Sequence, residues 1–113
     1  MERIELTVQG EQASTIPSAY QDIPQENRED YAGNDVVVVV TERHYRFSLV
    51  EVQATTIMEL TDETTCKVTI IVGAGGYGLD KARDFGRESE EGRKLRRKIE
   101  TYCEDADLAI ERQ

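Results

Sequence analysis

The chain has 113 residues, the length of one domain, and its 33% charged and 38% hydrophobic residues suit a soluble fold rather than a disordered or membrane-embedded one. A net charge of −9 argues against nucleic acid and anionic membranes as partners, because an acidic surface repels both. Two cysteines without a C-x-x-C pair, and a single histidine distant from both in sequence, exclude a zinc site of ordinary ligand spacing.

The charge is uneven. Residues 1–35 hold eight acids and two bases, giving −6, whereas residues 79–113 hold ten acids and nine bases, giving −1. The N-terminus, MERIELTVQG, has acids where an export signal needs bases, and it lacks an apolar stretch. The longest apolar run, residues 36–40, is far too short to span a bilayer. The expectation is a single cytoplasmic domain over residues 1–113, with reduced thiols, no metal and no cofactor.

In chain order, Ile4, Leu6 and Val8 alternate with polar residues and predict a half-buried strand that Gly10 ends. Ile16, Ala19, Tyr20 and Ile23 fall on one helical stripe. Pro17 sits in its first turn, Ser14 or Thr15 is the candidate cap, and Pro24 stops it. Residues 25–34 read as an acidic surface loop closed by Gly33 and Asn34. Five valines at 36–40 then open a strand that runs out towards His44 and Arg46. Val50, Val52, Ala54, Thr56, Met58 and Leu60 alternate clearly, as do Cys66, Val68, Ile70 and Val72. The short polar turn at residues 61–64 makes these two runs an antiparallel hairpin. Leu95, Ile99, Tyr102, Cys103, Ala106 and Ile110 recur at three- and four-residue steps and predict a long C-terminal helix, with Gly92 weakening its start. The resulting fold is α+β in the order β-α-β-β-β-α. A four-stranded, mainly antiparallel sheet carries the final helix across one face. This element order is similar in outline to small single-sheet domains that clasp one long helix, including half-size relatives of helix-grip ligand binders.

The stretch with most chemical content is IIVGAGGYG, where Gly73, Gly75 and Gly78 match G-x-G-x-x-G. A dinucleotide site needs a parallel β-α-β unit around those glycines, so that a helix N-terminus faces the pyrophosphate and a following strand ends near an acid. Here the preceding strand belongs to a hairpin and no apolar strand follows residue 78, so the match reads as a structural feature of a strand end. The basic run Arg93, Lys94, Arg96, Arg97 and Lys98 is flanked by acids and lacks stacking aromatics, which suits a solvated helix face rather than RNA contact. His44 shares a strand face with Glu42 and Arg46, a thin basis for acid–base chemistry. Cys66 and Cys103 fall on apolar faces and read as small buried hydrophobes.

Two functional readings follow. In the first, the domain is not an enzyme and works by self-association, most simply as a homodimer, or by binding a protein partner. One helix cannot cover both faces of the sheet, and the face bearing Val37, Val39, Tyr45 and Phe47 is the expected interface. In the second, a small molecule or anion binds between sheet and helix. Gly73, Gly75, Gly76, Tyr77 and Gly78 would then form the mouth of the pocket, with Arg83 and Tyr102 lining its entrance.

Overall fold

A computed structural model describes residues 1–45, 50–76 and 87–112. The first strand is β1 (Glu2–Gln9), followed by a single 3₁₀ turn at Ala13–Thr15 and helix α1 (Ile16–Gln21). Then come β2 (Arg28–Gly33), β3 (Val36–Tyr45), β4 (Val50–Asp62), β5 (Thr65–Gly76), the long helix α2 (Arg87–Asp105) and β6 (Ala109–Arg112). The six described strands form one antiparallel sheet in the order β2-β3-β4-β5-β1-β6. The fold is therefore α+β with a C-terminal helix on an antiparallel sheet, as expected, but the sheet has six strands rather than four.

The two extra strands have different causes. β2 replaces the expected acidic loop. Its sequence, REDYAG, has no apolar alternation, so it forms as an edge strand held by its backbone pairing to β3. Arg28 anchors it by donating from Nη1 to the carbonyls of Gln21 (2.8 Å) and Ile23 (3.0 Å), the unsatisfied C-terminal end of α1, where a cation is favoured. The turn into β3 places Asp35 at φ 59°, a conformation Asp tolerates. β6 appears where the apolar helical pattern continues to Ile110. The helix stops earlier because Asp107 adopts φ 57° just past its end. Leu108 N–H then donates to Cys103 O (2.8 Å) and Asp107 N–H to Glu104 O (3.3 Å), closing a Schellman motif. Ile110 consequently lands opposite Val8 in the sheet instead of one turn further along the helix.

β1, which sequence could not place, runs between β5 and β6. The β4–β5 hairpin forms as expected. Asp62 accepts hydrogen bonds from Thr64 N–H (2.9 Å) and Thr64 Oγ1 (3.1 Å), and the Thr64 N–H first, then the Thr65 hydroxyl, hold its carboxyl below the usual carboxylate range.

The core lies between the sheet and both helices. Leu6 and Val8 of β1, Val39 of β3, Val52, Ala54 and Met58 of β4, and Cys66, Val68, Ile70 and Val72 of β5 meet Leu95, Ile99 and Cys103 of α2 and Tyr20 of α1. At its centre Tyr20 Oη and Thr56 Oγ1 share a buried hydrogen bond of 2.9 Å, and burial pushes the tyrosine hydroxyl up. At Gly92 α2 lies close against the sheet: a Cβ there would lie 3.1 Å from Ile4 Cδ1. The glycine that weakens the helix start is thus a contact point with β1. No described helix is long and apolar enough to cross a membrane.

Candidate functional site

Register decides which valines a partner or ligand can reach. Val39 pairs with Thr56 and Val37 with Met58, so both lie on the helix-covered side, and Val39 is only 1% exposed. The expectation that Val37 and Val39 form the uncovered face is corrected accordingly. The open side carries the intervening residues. Along one row Tyr31, Val38, Ile57, Thr69 and Glu5 follow one another across the strands. The next row holds Glu29, Val40, Thr55, Ile71 and Arg3. Val36, Val38, Val40, Ile57 and Ile71 are half-buried, and Tyr31 is 64% exposed. Both described helices pack on the opposite side, so this apolar stripe has no described helix over it. Tyr45 ends β3, and Phe47 lies outside the described residues. The run of valines made both faces of β3 apolar in sequence, but only cross-strand pairing tells them apart.

The glycine stretch continues β5. Gly73 pairs with Gln53, Gly75 with Glu51 and Gly76 with Val50, so these glycines extend the hairpin through Gly76. Gly73 has open space where a Cβ would stand, its nearest neighbour being Met1 Cε at 3.8 Å. It borders a shallow depression of about 320 Å³ on the open face, together with Glu42, Glu51 and Gln53. Two carboxylates there oppose the anion-nest reading. Tyr77, Gly78 and Arg83 lie outside the described residues. Tyr102 is placed at the other end of the fold: α2 meets Val72 and Ile4 at Gly92, and ten residues later it has advanced about 15 Å. There Tyr102 lines an apolar groove of about 230 Å³ against α1, and its hydroxyl bonds to Thr15 Oγ1. The structure therefore does not bring Tyr102 and the glycines to one mouth.

His44 stands between two carboxylates at the end of the open face. Its Nε2 lies 3.4 Å from Glu42 Oε1 and its Nδ1 3.3 Å from Glu51 Oε1. Among the described residues this trio is the one group whose ligand atoms approach closely enough, within 4.8 Å of one another, to hold a metal ion. His44 and Glu51 are exposed, and a carboxylate lies beside each ring nitrogen, so the arrangement suits a polar surface cluster. Glu51 is the member that sequence missed, because it reaches His44 only across the β3–β4 pairing.

A polar cavity of about 460 Å³ opens at this same end of the sheet, on the helix side. Gln25, Thr41, Arg43, Glu91, Lys94 and Lys98 form much of its wall. Glu91, buried on α2, lies 3.7 Å from Arg43 Nη1. Burial, then the neighbouring Lys94 and Arg43 charges, pull the Lys98 ammonium below its usual value, while Glu91 opposes them.

Cys66 and Cys103 are both buried and unbridged. Burial first, then the charge of Cys103, pushes the Cys66 thiol up to about 12, and burial pushes Cys103 up to about 11. Both values exceed the ordinary 9.0, so the neutral thiols favour the folded state fully below about pH 9, and that contribution is lost as pH rises through the two folded values. Neither thiol should react measurably with iodoacetamide at about pH 8 in the native protein, and both should react on denaturation. Rapid native labelling of either would contradict the packing described.

Compared with protein-family models and with curated protein sequences, the chain matches none.

Proposed function

We propose that the protein is a non-enzymatic domain that acts by self-association, two copies packing the open faces of their sheets together. The observation that carries this reading is the stripe of Val36, Val38, Val40, Ile57 and Ile71, with Tyr31 at its border, on a face that neither described helix covers. Antiparallel sheets can leave one face in water, but that face is then normally polar. Contiguous apolar patches on a surface mark interfaces.

The dimensions fit. The stripe crosses the three central strands β3, β4 and β5, about 10 Å from first to last strand axis, and runs along β3 from Val36 to Val40, so the bordering residues of β2 and β1 would complete an interface of ordinary size. Charges of both signs border the stripe, Glu29 and Glu59 towards β2 and β4 and Lys67 and Arg3 towards β5 and β1, so a second copy need not meet like charge throughout. A two-fold dimer is the commonest way a chain covers such a face with itself.

Sedimentation velocity tests the reading. The wild-type chain should sediment as a dimer at micromolar concentration, and Ile57→Lys should sediment as a monomer with an unchanged circular dichroism spectrum. A wild-type chain that stays monomeric up to several hundred micromolar, or a dimer indifferent to Ile57→Lys, would overturn it.

A further inference from the structure

We infer that Glu42, His44 and Glu51, at the end of the open sheet face, bind a divalent transition-metal ion, with Zn²⁺ as the representative. All three ligands belong to one chain and begin two residues beyond Val40 along β3, so the site does not rest on the dimer proposed above.

Backbone pairing places the ligands. Glu42 and His44 are two residues apart on β3 and therefore share a face, and His44 stands directly opposite Glu51 on β4. Two hydrogen-bonded strands thus hold all three side chains on one side of the sheet, with ligand atoms within 4.8 Å of one another. His44 Nε2 lies 3.4 Å from Glu42 Oε1, and Nδ1 lies 3.3 Å from Glu51 Oε1. Neighbouring ligand atoms around a tetrahedral ion with bonds of about 2.1 Å stand about 3.4 Å apart, so small rotations suffice to converge on one ion. Each of the three side chains is about half exposed, and such rotations cost little packing.

The donor chemistry favours a cation. A neutral imidazole carries one N–H and one lone pair. It can donate to one of the two carboxylates, which leaves the lone pair of the other nitrogen facing the second carboxylate. A divalent ion takes that lone pair and offsets both negative charges. One imidazole with two carboxylates suits Zn²⁺ better than Mg²⁺ or Ca²⁺, which prefer oxygen ligands alone. Two nearby arginines are engaged elsewhere. Arg43 belongs to the helix side of the sheet, beside Glu91, and Arg3 on the open face is held by Glu5 at 2.7 Å.

A separate observation is the space beside the trio. Glu42 and Glu51 border the depression of about 320 Å³ together with Gln53 and Gly73. Glu42, Gln53 and Gly73 lie in one row across β3, β4 and β5. Gly73 brings no side chain to this row, and the nearest atom to an added Cβ there is Met1 Cε at 3.8 Å. Three protein ligands leave a position open on a four-coordinate ion. The depression supplies room for the water that fills it. The glycine at the strand end thus clears space beside the ligands instead of cradling a phosphate.

His44 is the chain's single histidine, so its ring resonances report on this site alone. The full chain, free of any affinity tag and cleared of metal by EDTA and dialysis, is titrated with Zn²⁺ and followed by calorimetry and by NMR of the imidazole. One equivalent should bind with a Kd below about 100 μM and shift the imidazole saturably, and Mg²⁺ at about 10 mM should not displace it. His44→Asn and Glu51→Gln should each weaken binding about tenfold or more. Glu63→Gln, in the exposed turn between β4 and β5, should leave the affinity unchanged. His44 and Glu51 are exposed, so metal-free melts of their variants should match wild type. Ile57→Lys should bind Zn²⁺ as wild type does, whatever its effect on the dimer. Binding weaker than about 100 μM, binding that survives His44→Asn and Glu51→Gln, displacement by Mg²⁺, or loss of binding in Ile57→Lys would each overturn the inference.

Discussion

Val39→Lys should unfold the protein or lower its melting temperature by more than about 15 °C, whereas Val38→Lys, one residue away, should leave the fold intact and abolish the dimer. Val39 is 1% exposed and lies opposite Thr56, within the cluster that includes Tyr20 and Met58. A lysine there loses the burial of a valine, about 1.5–3 kcal/mol, and places an ammonium in a core of apolar side chains. The combined cost exceeds about 4 kcal/mol, a large share of the stability of a domain this size, and each kcal/mol moves the melting point by about 4–8 °C. Val38 points to the opposite face, between Tyr31 and Ile57, where a lysine reaches water at a cost within about 1 kcal/mol. Thermal denaturation by circular dichroism reads the first effect, and sedimentation reads the second. Equal melting temperatures for the two variants would show that the register of β3 is not the one described.

Leu95→Ala should cost about 3 kcal/mol. Leu95 is 2% exposed and, with Ile99 and Cys103, forms the stripe by which α2 packs on the sheet. Truncating a fully buried leucine removes its transfer free energy and leaves a void that neighbours fill only in part. The rigid strands beneath, rich in β-branched residues, leave little freedom to collapse. Leu95 also borders the polar cavity, so part of the new space opens to water rather than remaining empty. That relief places the cost towards the lower end of the range for such substitutions. Urea denaturation should show a lower midpoint with an unchanged slope. A loss below about 1 kcal/mol would mean that α2 contributes little to the core.

The strands and the long helix were legible because their apolar residues recur with the period of the element that buries them. Ile4, Leu6 and Val8 in β1, the alternation through β4 and β5, and Leu95, Ile99 and Cys103 in α2 all occupy the positions their spacing assigns. β2 was not legible because nothing on it is buried: its backbone pairs with β3 and its polar side chains fasten the end of α1. β6 was missed for the opposite reason. Ala106 and Ile110 continue the helical spacing of α2, while the stop depends on Asp107 taking a left-handed conformation that glycine or asparagine would have announced.

The candidate sites divide in the same way. Sequence showed that residues 36–40 are apolar on both faces and that one helix covers only one of them. Lys94 and Lys98 were visible as part of a basic run, and His44 as a neighbour of Glu42. The meeting of Arg43, Gln25 and Glu91 with those lysines was not visible, because it joins β3, the segment before β2, and α2, which are far apart in the chain. The glycine motif resolves through pairing: Gly73, Gly75 and Gly76 sit opposite β4, so the strand continues where a phosphate-binding turn would have to begin.

By itself the sequence determined the element types, the hairpin and the aliphatic core, because local periodicity and turn chemistry act over a few residues. The tertiary structure alone decided which valine face is covered, where β1 inserts, and which charged groups share a cavity. Those outcomes depend on register and on contacts between distant segments, and a one-residue shift in pairing would reverse every inward and outward side chain of β3.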